Sequence, residues 1–163
     1  MKDRVITGGV LVYGPGGEAL RDLATAAGFD AVQASRAELG ISESLKAGIV
    51  TLAATTTPRD VRAALICLGD QPLLRLETVA AVVAAGGEGG TRLVRPKYRD
   101  DPDGPGHPVH VGRAHWGLIS ETAGDRGLDP IVRAHGLAWR EVDVEGSNPD
   151  VDTQTDLDRL ERL

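Results

Sequence analysis

Aromatic side chains are nearly absent from this chain. Tyr13, Phe29, Tyr98, Trp116 and Trp139 make up 3% of its 163 residues. A core with so few rings must be filled by Ala, Val, Leu and Ile, the residues that line parallel sheets. A single cysteine, Cys67, excludes an intrachain disulfide, and its place in the apolar run Ala64–Leu68 reads as a small buried hydrophobe rather than a nucleophile. No apolar stretch approaches the ~20 residues of a membrane span, and no signal peptide opens the sequence. The expectation is a cytoplasmic protein without membrane contact. Basic charge is also in deficit, with 18 Lys and Arg against 24 Asp and Glu and a net charge of −6. Non-specific nucleic-acid binding needs a basic face, so nucleic acid is not expected as a partner. A polyphosphate substrate would need a cation to offset like-charge repulsion.

What is present is ordinary for a folded chain: 41% hydrophobic and 26% charged residues. The length predicts one domain, residues 1–163. The 21 glycines and 9 prolines cluster between apolar runs, as in a fold with many short connections. Short β-branched runs alternate with amphipathic segments, the pattern of βαβ units. Val10–Tyr13 reads as a strand, Gly14–Gly17 as a turn, and Glu18–Ala27 as a helix that Gly28 caps. Ala31–Ser35 is a second strand, and Ser42 reads as the N-cap of a helix to about Ala53. Thr57, Pro58 and Asp60 form a further cap. The strand Ala64–Leu68 is apolar throughout and is expected to be central. A helix over Leu76–Ala85 and a strand over Thr91–Arg95 follow, and Tyr98–Pro108 is a long irregular loop. Arg113–Ile119 and Pro130–Ala134 read as short helices, Ala138–Val144 as a strand. Thr153 and Asp156 form a capping box for a last helix over Thr155–Leu163.

Four segments carry chemistry. Asp70 directly follows the apolar strand, and ligands of open α/β sheets bind outside the carboxyl ends of strands. Its carboxylate either holds Mg²⁺ against phosphates or accepts bonds from the N–H groups of an ordinary turn. In Asn148-Pro-Asp150-Val-Asp152-Thr153, two carboxylates at i and i+2 point the same way when extended. They suit a hard cation, or Asp152 or Thr153 caps the helix. Gly106-His107-Pro108-Val109 holds an imidazole in a restricted turn, facing substrate or solvent. Gly14-Pro15-Gly16-Gly17-Glu18-Ala19 fits G-x-G-x-x-A between a strand and a helix. With Arg36 after the next strand it suggests an NADP site, although Pro15 removes a backbone donor.

Together these pieces resemble the MobA-like nucleotidyltransferases, in particular molybdenum cofactor cytidylyltransferases. The matching segments are Ser42-x-Ser44-Leu45-x-x-Gly48, Leu68-Gly69-Asp70-Gln71-Pro72, Gly106-His107-Pro108-Val109, Gly124-Asp125-Arg126-Gly127 and Asp150-Val151-Asp152-Thr153, in the family's order from Val10 onward. The resemblance implies a three-layer α/β fold with a mostly parallel sheet and helices on both faces, Rossmann-like and of the glycosyltransferase A type. It implies transfer of a nucleoside monophosphate from CTP, or GTP, to the phosphate of molybdopterin, with release of pyrophosphate. Asp70 and Asp152 would be catalytic and would hold Mg²⁺. Ser42, Ser44, Leu45, Gly48, Gly69 and Gln71 would bind the nucleotide, and His107 and Asp125 the acceptor. A molybdoenzyme maturation partner is the protein contact it implies.

The family also opens with a strand and a glycine-rich loop of the type L-A-A-G-x-S-x-R-M-G-x-x-K. Met1–Gly9 carries Lys2, Arg4, Gly8 and Gly9 but not that pattern, so the expected fold lacks its first strand and phosphate-wrapping loop. Gln154 stands where the family usually has proline. Two other readings therefore stand beside the transferase. One is an NAD(P)H-dependent reductase of a small heterocycle using the Gly14–Ala19 turn. The other is a non-catalytic remnant of the fold that binds a protein partner.

Overall fold

The structure, a computed structural model, describes residues 6–56, 61–104 and 106–160. Its elements run β1 (Val10–Tyr13), α1 (Glu18–Ala26), β2 (Asp30–Gln33), α2 (Ile41–Thr55), β3 (Ala63–Ile66), α3 (Leu76–Gly86), β4 (Leu93–Tyr98), β5 (Val109–Gly112), α4 (Asp129–Ala134), β6 (Arg140–Val144) and α5 (Gln154–Leu160). Short 3-10 segments occupy Ala37–Leu39 and Arg113–Glu121. The expected capping residues Thr57, Pro58 and Asp60, and Lys2 and Arg4 at the start, lie outside the described residues. Among the described residues no helix is long and apolar enough to cross a membrane. The chain divides into two compact units, Met1–Arg62 with Arg113–Ala138, and Ala63–Gly112 with Trp139–Leu163.

In the first unit β1 and β2 pair in parallel, Val10 opposite Asp30 through Tyr13 opposite Gln33. Parallel neighbours need a crossover, and α1 supplies it. The turn into α1 closes with the Gly17 N–H donating to the Gly14 carbonyl at 3.1 Å. At the other end Gly28 takes φ +78°, its N–H bonds Thr25, and the Phe29 N–H bonds Ala24. That left-handed close is what a glycine after a helix provides. Helix α2 lies close on β1: a Cβ at Gly48 would stand 3.0 Å from a Val12 methyl. The Arg113 guanidinium ties Thr56 to Val61, donating to the Thr56 hydroxyl (3.1 Å) and to both carbonyls (3.2 Å each). It also sits 4.4 Å over the Trp116 ring. Trp116, Ile119, Leu128 and Val132 are buried in this unit.

The second unit holds a four-stranded sheet of order β3-β5-β4-β6. The α/β class expected from the sequence holds, but the sheet is mixed rather than mostly parallel. β5 runs antiparallel to both β3 and β4, while β4 and β6 are parallel. The described residues between β4 and β5 hold no helix to carry the chain across a face, and β5 returns alongside β4 in the opposite direction. β3 pairs with β5 alone among the described residues, so the most apolar strand is not the central one of its sheet. An apolar run without alternation does not reveal its place in a sheet. Pro96 sits on β4 beyond the two residues that pair with β5, where its missing N–H breaks no bond on that side.

Helix α3 packs on β4, β5 and β6 through Thr78, Val82 and Gly86, which recur every fourth residue and are buried. Gly86 faces the buried His110 ring, whose Nδ1 donates to the Arg92 carbonyl at 3.0 Å. Helix α5 begins with the expected capping box. The Asp156 carboxylate accepts from the Thr153 N–H (3.1 Å) and hydroxyl (2.6 Å), and the Asp156 N–H donates back to the Thr153 hydroxyl (3.2 Å). Those bonds, the hydroxyl's first, hold the Asp156 carboxyl below its ordinary value.

A Cβ at Gly86 would run into the His110 imidazole, which is fixed by its own hydrogen bond. Gly86→Ala is therefore expected to cost about 1–3 kcal/mol through overpacking. Urea unfolding should show a lower midpoint at unchanged slope; an unchanged midpoint would contradict this packing.

Candidate functional site

The residues singled out by the sequence divide between the units. Ser42, Ser44, Leu45, Gly48 and Asp125 belong to the first; Gly69, Asp70, Gln71, His107 and Asp152 belong to the second.

In the first unit, the start of α2 and the Gly124–Asp125 turn form one structure. Gly40 takes φ +109°, and a Cβ there would collide with the Gly124 and Asp125 backbone. This close approach lets the Ser42 N–H donate to the Gly124 carbonyl at 3.1 Å and the Ile41 N–H reach the Asp125 carboxylate at 3.4 Å. Asp125, expected at the acceptor, thus lies at the positive end of the α2 dipole. Gly40 occupies the N-cap position, which corrects the expectation that Ser42 does. Ser42 is inside the helix and 1% exposed, and its hydroxyl oxygen has no hydrogen-bond partner among the described residues. Gly48 has a packing reason, the contact with Val12, and Ser44 and Leu45 are half-buried.

In the second unit the loop after β3 and the loop after β6 are joined. The Val151 N–H donates to the Asp70 carbonyl at 2.8 Å. One residue further on, the Gln71 amide donates to the Asp150 carboxylate at 2.7 Å and accepts from the Asn148 amide at 3.2 Å. Gln71 and Asn148 are each 4% exposed. Gln71, expected at the nucleotide, uses its amide in both directions inside the protein. Burial pushes the Tyr98 phenol up, opposed by hydrogen bonds from Asn148 and Thr78. The Tyr98 hydroxyl donates to the His107 carbonyl at 2.7 Å, which anchors the turn carrying that imidazole. The Asn148 side-chain oxygen is buried without a partner among the described residues. A group left so costs about 1–3 kcal/mol.

Asp70 and Asp152 are exposed, and their carboxylates make no hydrogen bond or ion pair among the described residues. Thr153 does the capping at α5, so Asp152 is left for other work. No three His, Cys, Asp or Glu side chains converge among the described residues. A cation at this junction would find hard carboxylate oxygens from Asp70 and Asp152, a donor chemistry that suits Mg²⁺ or Mn²⁺ if phosphates and water complete the shell. Asn148 escaped the reading of the sequence because its amide partner is 77 positions away. Only its place before Pro149-Asp150 marked it.

Elsewhere, Cys67 lies at the exposed end just past β3 rather than buried, and partial desolvation pushes its thiol up, away from thiolate chemistry. The Gly14–Ala19 turn is present between β1 and α1. Its Gly17 N–H is used within the turn, Glu18 puts an acid in the first helical turn, and Arg36 faces Glu43 at 3.8 Å. None of these favours a dinucleotide phosphate.

The profile of the family described as the MobA-like NTP transferase domain matches residues 4–139. Among solved structures the chain is similar to Rv0371c from Mycobacterium tuberculosis H37Rv, with TM-score 0.75 and 29% identity over 94% of this chain and 75% of that one. It is similar too to the manganese complex of Rv0371c, with TM-score 0.71 and 29% identity over 94% and 77%. The molybdopterin-guanine dinucleotide biosynthesis protein A of Archaeoglobus fulgidus shares the fold, with TM-score 0.60 and 13% identity over 94% and 76%. No curated protein matches in sequence.

The buried hydroxyl of Ser42, without a partner among the described residues, weakens the fold where it stands. Ser42→Ala is expected to raise stability by about 1 kcal/mol, a melting temperature higher by about 2–4 °C. A fall on calorimetry would show that Ser42 has a partner that holds the fold.

Proposed function

The chain belongs to the family of MobA-like NTP transferase domains, and on that premise we propose that it transfers a nucleoside monophosphate from CTP or GTP to the phosphate of a molybdopterin-type acceptor. The observation that carries this reading is the joined pair of loops in the second unit, with the Asp70 and Asp152 carboxylates making no hydrogen bond or ion pair among the described residues. A protein 29% identical to this chain binds manganese in its crystal, which supports a divalent cation.

An acceptor phosphate oxygen attacks the α-phosphorus of the nucleoside triphosphate. The bond from that phosphorus to the α,β-bridging oxygen breaks, and pyrophosphate leaves with the electron pair. Asp70 and Asp152 would hold Mg²⁺ or Mn²⁺, and the bound cation would neutralise phosphate charge. The net charge of −6 adds like-charge repulsion that a cation would offset when a triphosphate binds. In this reading Ser42, Ser44, Leu45 and Gly48 of the first unit and Gly69 of the second serve the nucleotide. His107, whose carbonyl accepts from the Tyr98 hydroxyl, and Asp125 are the residues assigned to the acceptor in this reading.

Asp70→Asn changes one charge and little volume at an exposed position, so the fold should survive. Calorimetric titration with CTP and GTP is expected to show cation-dependent affinity reduced by at least about tenfold, the equivalent of about 1.4 kcal/mol. Undiminished cation dependence in this variant would refute the assignment of Asp70.

A further inference from the structure

Asp150 and Asp152 both carry carboxylates near Asp70, yet they are placed differently. Asp150 is committed to the Gln71 amide, Gln71 to Asn148, and Asn148 lies within reach of the Tyr98 hydroxyl. Asp152 makes no such bond among the described residues. The Gln71–Asp150 bond stands beside the Val151–Asp70 backbone bond, so two adjacent cross-links fix one loop against the other. A pair of cross-links restricts rotation where a single bond would leave a pivot. The relay is also poorly suited to stability alone, because the Asn148 oxygen is buried without a partner among the described residues. Apolar side chains of the same shape would fill that space without leaving an acceptor unsatisfied.

We propose that Asn148 and Gln71 are positioning residues, a buried amide relay that makes Asp150 an anchor rather than a ligand and thereby sets Asp70 and Asp152 for a divalent cation. The inference rests on the metal reading of the preceding subsection. Groups that orient a metal's ligands typically matter by roughly 10–100-fold in affinity.

The test compares two substitutions at exposed Asp150 that remove the same charge. Asp150→Asn keeps an oxygen acceptor for the Gln71 amide, whereas Asp150→Ala removes it. Mn²⁺ affinity is measured by electron paramagnetic resonance in the presence of CTP, and again with GTP. The relay predicts a loss of roughly tenfold or more in Asp150→Ala and retention of most of the affinity in Asp150→Asn. Gln71→Met, which keeps the volume and removes both hydrogen bonds, should behave as Asp150→Ala does. Equal losses in the two Asp150 variants would mean that Asp150 acts through its charge, and no loss in either would mean that the anchor is idle; both overturn the relay. If Asp70→Asn lowers Mn²⁺ affinity while Asp150→Ala does not, the relay fails and the metal site stands. If Asp70→Asn leaves Mn²⁺ affinity untouched, the metal site fails and the relay with it.

Discussion

The side-chain amide of Gln71 is buried, and every polar group taken out of water must be hydrogen-bonded or destabilise the fold. It meets that demand by reaching two residues of a segment nearly eighty positions later, Asn148 and Asp150. The geometry of the second unit's loops follows from this constraint. The carboxyl end of β3 is held to the chain leaving β6, the Val151–Asp70 bond locks the same junction, and Tyr98 reaches from the end of β4 to fix the His107 turn. Asp70 and Asp152 are exposed at that junction, and their carboxylates make no hydrogen bond or ion pair among the described residues.

The first unit solves a similar problem with backbone instead of side chains. Gly40 permits an approach that a Cβ would forbid, and the Gly124–Asp125 turn then satisfies the first N–H groups of α2. Helix starts leave such donors unsatisfied unless something covers them. Here a carbonyl and a carboxylate do so, and Ser42 is buried beneath them with its hydroxyl unmatched. Both units thus carry one buried oxygen without a partner among the described residues, in each case beside residues assigned to ligand.

Much of this was legible in the sequence. Local rules worked wherever a local cause decides the outcome: the β1 run Val10–Tyr13, the glycine turn into α1, the left-handed Gly28 that ends it, and the Thr153–Asp156 box before α5. They failed where a distant segment decides. Ser42 has the chemistry of an N-cap, but the turn at Gly124 takes over the start of α2 and moves the cap to Gly40. β3 reads as central because it is apolar, yet its pairing is set by the return of β5 after a loop without a helix. The motif around Asp70 was visible. That Gln71 turns inward and Asp70 outward was not, because only the partner at Asn148 distinguishes them.

The proposed activity requires this chain to bind a nucleoside triphosphate together with a divalent cation. Its most direct test is a thermal-shift titration of the chain with CTP, GTP, ATP, NADH and NADPH, each with and without Mg²⁺. A bound ligand raises the melting temperature with the logarithm of its concentration over its dissociation constant. The proposed activity predicts such a rise with CTP or GTP only when Mg²⁺ is present. A rise with NADPH that needs no cation, or no rise with any nucleotide, would contradict it.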